Sequence, residues 1–184
     1  MPVFNGDSFL HRSIPSLLKQ TFSDFELIIS DNASTDKTRE VCLKYAQSDN
    51  RIKYIRQPNN LGSIKNFEYV LNSASFPFFM WAAVDDYWHP KFIEENLQIL
   101  IEQPKIVASI SRVDMQCLRD IDHHLVGTYP ISGVYSQKLR QLFRCLGANS
   151  RFYALYRHEP LLNSFVSESF MGGMDGGTLI RDMK

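Results

Sequence analysis

Cysteine is scarce in this chain. The three residues, Cys42, Cys117 and Cys145, are odd in number and show no metal-ligand spacing. They argue for a reducing compartment and against a disulfide framework. Net charge is absent too: Lys plus Arg equals Asp plus Glu at 20 each, which argues against a nucleic-acid binder working by phosphate neutralisation. No apolar run reaches the roughly 18 residues of a membrane span, and no signal-peptide pattern opens the chain. Peripheral membrane attachment stays open. There is no internal repeat, no low-complexity stretch, no Gly-x-Ser-x-Gly elbow and no activated-cysteine context, so serine and cysteine hydrolase chemistry has no motif to rest on. What remains is a chain of 184 residues, 44% hydrophobic and 22% charged, which is enough for one domain with a substantial core.

One stretch stands out. Phe76 to Val84 carries no charge and no alternation, and two adjacent carboxylates, Asp85 and Asp86, follow at once. A run of that kind predicts a strand from Phe78 to Val84 buried on both faces, hence a parallel sheet. Ligands of open parallel sheets bind beyond the carboxyl ends of the strands. Adjacent carboxylates repel and call for a cation, water or a donor. An oxygen-only pair suits Mg²⁺ or Mn²⁺ carrying a phosphorylated substrate. The plainer alternative is that Asp85 and Asp86 end the strand and cap the helix behind Pro90.

The rest of the chain alternates. Met1–Phe4 predicts a strand, shorter than usual, which leaves two explanations: a start further upstream or a first strand lost in part. Asn5-Gly6 is a turn and Asp7 a cap, and Phe9, Leu10, Ile14, Leu17 and Leu18 share a helical face with Pro15 inside it. Phe25 to Ser30 reads as a strand, followed by the polar loop Asp31 to Asp36 and a helix through Val41, Cys42, Tyr45 and Ala46. A third strand, Ile52–Arg56, precedes the loop Gln57 to Gly62 and a helix through Ile64, Phe67, Val70, Leu71 and Ala74. A helix from Lys91 to Gln103 and a strand from Ile106 to Ile110 follow the carboxylates. This β-α order predicts an α/β domain with a mainly parallel sheet. Beyond Arg112 the pattern weakens: Met115–Val126 reads as a polar loop, Tyr135–Leu146 as a helix, Phe152–Tyr156 as a strand and Pro160–Val166 as a short helix. Asp120, Asp122, His123 and His124 form a solvated loop rather than a zinc site. His11 and His158 read as surface residues, and Trp81 as core. Tyr87 and Trp88, next to the carboxylates, are the aromatics placed to flank a sugar.

The segments Pro2 to Gly6, Gln20 to Ile29, Asp31 to Asp36, Asn60-Leu61-Gly62 and Asp85-Asp86, in that order, resemble the family 2 glycosyltransferases. The resemblance runs from Pro2 to about Ile110. It implies a GT-A fold, a Rossmann-like nucleotide-diphospho-sugar transferase fold with a mainly parallel central sheet flanked by helices. It also implies one domain over 1–184, with a nucleotide-sugar half at 1–112 and an acceptor half at 113–184, the latter shorter than in relatives.

The implied activity is inverting, metal-dependent transfer of a hexose-type sugar from a nucleoside diphosphate to a glycan or lipid-linked hydroxyl. Polysaccharide or cell-envelope glycan synthesis, at a cytoplasmic or inner-face peripheral location, is the default setting. In that resemblance Asp86 is the Mn²⁺ or Mg²⁺ ligand of a DXD-like motif and Asp85 a ribose or metal-shell contact. Pro2, Phe4, Asp31 and Asn32 wall the base pocket, Lys65 contacts the diphosphate, and Asp175 is the general base with Glu168 as its rival. The chain departs from the family at Asn32, where many relatives carry a second acid. An amide donates as well as accepts, so uridine is not assumed. Two other readings remain: a non-catalytic sugar-nucleotide-binding or partner-binding domain, and a nucleotidyltransferase. The second lacks its Gly-rich basic loop at Asn5-Gly6-Asp7.

Overall fold

The chain's two cores lie on opposite faces of one strand. The computed structural model describes residues 1–111, 113–115, 124–126, 131–134, 136–137 and 150–165. Strand β2 (Leu27–Asp31) is buried along its whole length. Successive side chains of a strand point to opposite faces. Ile29 accordingly packs with Leu10, Ile14, Val41, Cys42 and Phe92, while Ile28 belongs to a second cluster with Val70, Leu71, Trp81, Phe152 and Leu161. The first core is closed by α1 (Asp7–Leu18), α2 (Thr38–Ser48) and α4 (Phe92–Glu102), the second by α3 (Ser63–Ser73).

Strands β1 (Pro2–Val3), β2 and β3 (Ile52–Arg56) form a parallel sheet in that spatial order, with Val3 opposite Asp31 and Asp31 opposite Arg56. Parallel neighbours need crossovers, and α1 and α2 supply them. All three strands deliver their carboxyl ends, and the loops that follow, to one edge. Pro15 sits within α1, which nevertheless runs unbroken to Leu18.

A second sheet is antiparallel. β8 (Leu155–Arg157) lies between β4 (Phe78–Phe79) and β5 (Ala108–Ser109). This corrects the expected strand Phe78–Val84: only two residues pair, and they pair antiparallel to a strand from late in the chain. The partner strand is short: only Arg157 and Tyr156 of β8 reach β4, opposite Phe78 and Phe79. An apolar cavity of about 390 Å³ is lined among others by Leu27, Ile28, Phe78, Met80 and Ala82. Met80 to Val84 belong to no strand, although Trp81, Ala82 and Ala83 are buried.

Three further expectations change. Val113–Met115 and His124–Val126 are strands β6 and β7, paired antiparallel where a loop was expected. Phe152 and Tyr153 belong to a 3₁₀ turn, Ser150–Tyr153, that precedes β8. His158 is no free surface residue: it starts α5 (His158–Ser164), its ring nitrogens lie 3.1 Å from Phe76 O and 3.0 Å from Leu71 O, and it stacks on Phe79. The helix expected at Tyr135–Leu146 falls mostly outside the described residues. Among the described residues no helix is long and apolar enough to cross a membrane.

Candidate functional site

Three loops at the carboxyl edge of the parallel sheet are stitched into one wall. After β1, Asn5 takes a left-handed conformation at φ 51°. Its N–H donates to Ser34 Oγ at 2.9 Å, and its Oδ1 accepts Thr35 N–H at 2.8 Å. Gly6 N–H donates to Thr38 Oγ1 at 2.8 Å. A Cβ on Gly6 would lie 2.7 Å from Val3 Cγ2 and 2.8 Å from Val84 Cγ2, so only glycine lets these pieces meet. After β2, Ala33 is also left-handed, at φ 61°. Among the described residues these are the two non-glycine residues with positive φ, and both lie at this edge. Such strain collects where surrounding structure holds a site in shape. Asp36 Oδ1 accepts Thr38 N–H at 3.0 Å at the entrance to α2, and its Oδ2 accepts Asp7 N–H at 3.2 Å.

Asp31 and Asn32, expected to read a base, are turned into the wall. Asp31 is 0% exposed. Its carboxylate accepts Ser34 N–H at 2.8 Å, Tyr54 O–H at 2.7 Å and Arg56 Nη1–H at 3.0 Å. A buried carboxylate is tolerated because it is bonded this fully. Burial first, then the Asp31 carboxylate, raise the Tyr54 phenol above its ordinary pKa. Asn32 is 3% exposed. Its amide nitrogen donates to Asn60 Oδ1 at 2.9 Å and Gly62 O at 3.2 Å, and its oxygen accepts Leu61 N–H at 2.8 Å. Pro2 is buried in the sheet, whereas Phe4 is 48% exposed and leaves a ring face free beside these loops. Lys65 is exposed in the first turn of α3 and forms no salt bridge among the described residues.

Asp85 and Asp86 follow the buried Trp81-Ala82-Ala83 and are exposed. Neither has a hydrogen bond or ion pair among the described residues. Desolvation of its carboxyl, then the charge of Asp85, raise the pKa of Asp86. An unpartnered carboxylate pair that resists holding both charges is a fitting seat for a hard cation. Two protein oxygens are few, and among the described residues no group of three metal-type ligands occurs. Mg²⁺ and Mn²⁺ suit that shortage, since phosphate oxygens and water complete their shells. Tyr87 is 52% exposed, with the Arg12 guanidinium 3.9 Å from its ring centroid. Trp88, by contrast, is core.

Tyr153 is a residue near the pair that the sequence did not suggest. Burial raises its phenol pKa, and the charges of Asp86 and Asp85 raise it further. Phe152 seats it, stacked on Trp81 at 4.3 Å between centroids. The only sequence signal was an aromatic doublet 67 and 68 residues beyond Asp85. Asp175 and Glu168 lie outside the described residues.

With this geometry in place the comparisons with known proteins decide the family. The model of the family described as "Glycosyl transferase family 2" matches residues 1–165. The chain belongs to that family. A curated relative, the GalNAc(5)-diNAcBac-PP-undecaprenol beta-1,3-glucosyltransferase of Campylobacter jejuni, is 27% identical over 175 residues, 94% of this chain. S. aureus TarS 1-349 in complex with UDP-GlcNAc superposes with a TM-score of 0.67 at 21% identity over 88% of this chain. The mannosyltransferase PcManGT from Pyrobaculum calidifontis, in complex with GDP-Man and Mn2+, gives 0.62 at 15% identity over 88%. These likenesses establish the GT-A fold. The chain spans 55% of the Campylobacter relative and 45% and 44% of the two structures.

Proposed function

We propose that this family 2 glycosyltransferase chain binds a nucleoside diphosphate sugar at the stitched wall and transfers the sugar, with inversion, to an acceptor hydroxyl. The observation that carries the proposal is the bare Asp85-Asp86 pair beside a prebuilt three-loop wall. Bound UDP-GlcNAc in TarS and bound GDP-Man with Mn2+ in PcManGT support a nucleotide-sugar donor and a divalent cation.

Asp86 would hold Mn²⁺ or Mg²⁺, and Asp85 would contact the ribose or the metal's shell. The cation would neutralise charge building on the departing diphosphate. Phe4 offers its exposed face to the base, while Asp31 and Asn32 keep the base wall in shape. Lys65 reaches for the diphosphate as a mobile point charge. Asp175 takes the proton from the acceptor hydroxyl as its oxygen bonds to the anomeric carbon and the carbon–phosphate-oxygen bond breaks. A hexose donor, a glycan or lipid-linked acceptor, and a role in cell-envelope glycan synthesis complete the reading.

Release of nucleoside diphosphate from a donor panel, with and without acceptor, tests it. Asp175→Asn should keep donor binding and lose turnover by about 10² or more, in keeping with removal of a general base. Donor binding without turnover by the unaltered protein, across acceptors, would leave a sugar-nucleotide-binding domain instead.

A further inference from the structure

Asn32 occupies the position where an acid was expected, and its bonds account for the amide. Residues 60–62 form the last part of the loop between β3 and α3. Among the described residues, every hydrogen bond that ties them to the strands runs to the Asn32 side chain: Asn32 Nδ2 to Asn60 Oδ1 and Gly62 O, and Leu61 N to Asn32 Oδ1. Asn60 Oδ1 also accepts Gly62 N–H at 2.8 Å, so the loop closes on itself around the amide. Gly62 O in turn accepts Asn66 N–H, the bond that starts α3. The amide orientation is forced. Gly62 O only accepts and Leu61 N–H only donates, so a flipped amide would set oxygen on oxygen and N–H on N–H.

A carboxylate would hold this loop less firmly. It would keep the Leu61 bond but lose both donations and face two carbonyl oxygens at about 3 Å. Both N–H groups of Asn32 are committed, which leaves it no donor for a base, and at 3% exposure it presents almost no surface through which the second lone pair of its Oδ1 could accept from one. Gly62 itself sits at φ 84°, open to solvent with nothing near its missing Cβ. Its left-handed turn is held by these bonds rather than by packing.

We propose that Asn32 is a positioning residue: its amide staples the loop of residues 60–62 to the end of β2 and thereby sets Lys65 and the start of α3 against the donor, and it does not read the base. This rests on the donor-site reading above. The departure from two acids to Asp31-Asn32 then changes how firmly the loop is held, not which nucleotide is chosen.

Hydrogen exchange and steady-state kinetics on the full chain test this, with Asn32→Asp, Asn32→Ala, Asn60→Ala and the Asn32→Ala/Asn60→Ala pair. Exchange in residues 57–66 should speed up in both Asn32 variants while β2 stays protected. KM for the donor should rise about ten-fold with kcat changed by less than about three-fold, since ground-state and transition-state binding fall together. The order of preference across uridine, guanosine, adenosine, cytidine and thymidine diphosphates should not change. Asn60→Ala should show part of the effect, and the double variant should fall short of the sum. An altered nucleotide order with unchanged loop exchange would make Asn32 a base reader and overturn the proposal. Unchanged exchange alone would overturn the staple. If the unaltered protein binds no nucleotide at all, the donor reading fails, and exchange still decides whether Asn32 holds the loop.

Discussion

Asp31, the last residue of β2, and Asp86, beyond β4, behave in opposite ways here, and their surroundings say why. Asp31 is wholly buried and held by Ser34, Tyr54 and Arg56. Tyr54→Phe removes one donor from a buried carboxylate and should cost about 1–3 kcal/mol of stability, read from urea unfolding. A cost near zero would mean that water replaces the phenol. Asp86 is exposed, unpartnered and raised in pKa by desolvation and by Asp85. Between its unfolded and folded pKa values the folded state holds more protons than the unfolded one. Stability from this residue therefore falls as pH rises through that window. Asp86→Asn should raise the melting temperature at neutral pH, and the gain should shrink as the pH drops and level off below the unfolded value of about 3.9, where both states carry the proton. Calorimetric melts at several pH values read it. A variant less stable than the parent at neutral pH would contradict the strained-pair account. In sequence the pair allowed two readings, a seat for a cation or a strand end and helix cap, and among the described residues neither carboxylate makes a capping hydrogen bond. The inward turn of Asp31 and Asn32 was not legible, because their partners Tyr54, Arg56 and residues 60–62 come 23 to 30 positions later.

The elements that sequence places well are those whose signal is local. α1, α2, α3 and α4 fall within a few residues of their apolar periodicity, and β3 falls on Ile52–Arg56 as read. The aromatic run at Phe76–Val84 misleads because an unalternating apolar run signals burial and not pairing. Its pairing depends on β8, whose residues are Leu155–Arg157. The Arg157 side chain shows the same long reach, donating to Ile106 O at 3.0 Å and to Leu100 O near the end of α4. The turn between β1 and α1 is tighter than its Asn-Gly signal alone implies. Gly6→Ala would drive a methyl into both Val3 and Val84 and should destabilise by about 1–3 kcal/mol, as overpacking does. Denaturant midpoints at an unchanged slope would report it. A neutral substitution would show that Val84, and with it the approach to Asp85, is free to move.

At the scale of the molecule, three parallel strands and their crossovers build a rigid edge, and the segment after β4 meets that edge where Val84 lies against Gly6, directly before Asp85 and Asp86. The parallel half was legible because each β-α unit is written consecutively in the chain. The antiparallel half was not, because β8 inserts between strands that precede it by 46 residues or more. The central claim is that the carboxylate pair and the stitched wall form a metal-assisted nucleotide-sugar site. Titration calorimetry of the nucleoside diphosphate panel and their sugars, with and without Mn²⁺, on the parent and Asp86→Ala, tests it most directly. The account predicts one preferred nucleotide whose binding needs Mn²⁺ and is lost in Asp86→Ala while the fold persists. Binding equally tight without metal, or kept in Asp86→Ala, would contradict it.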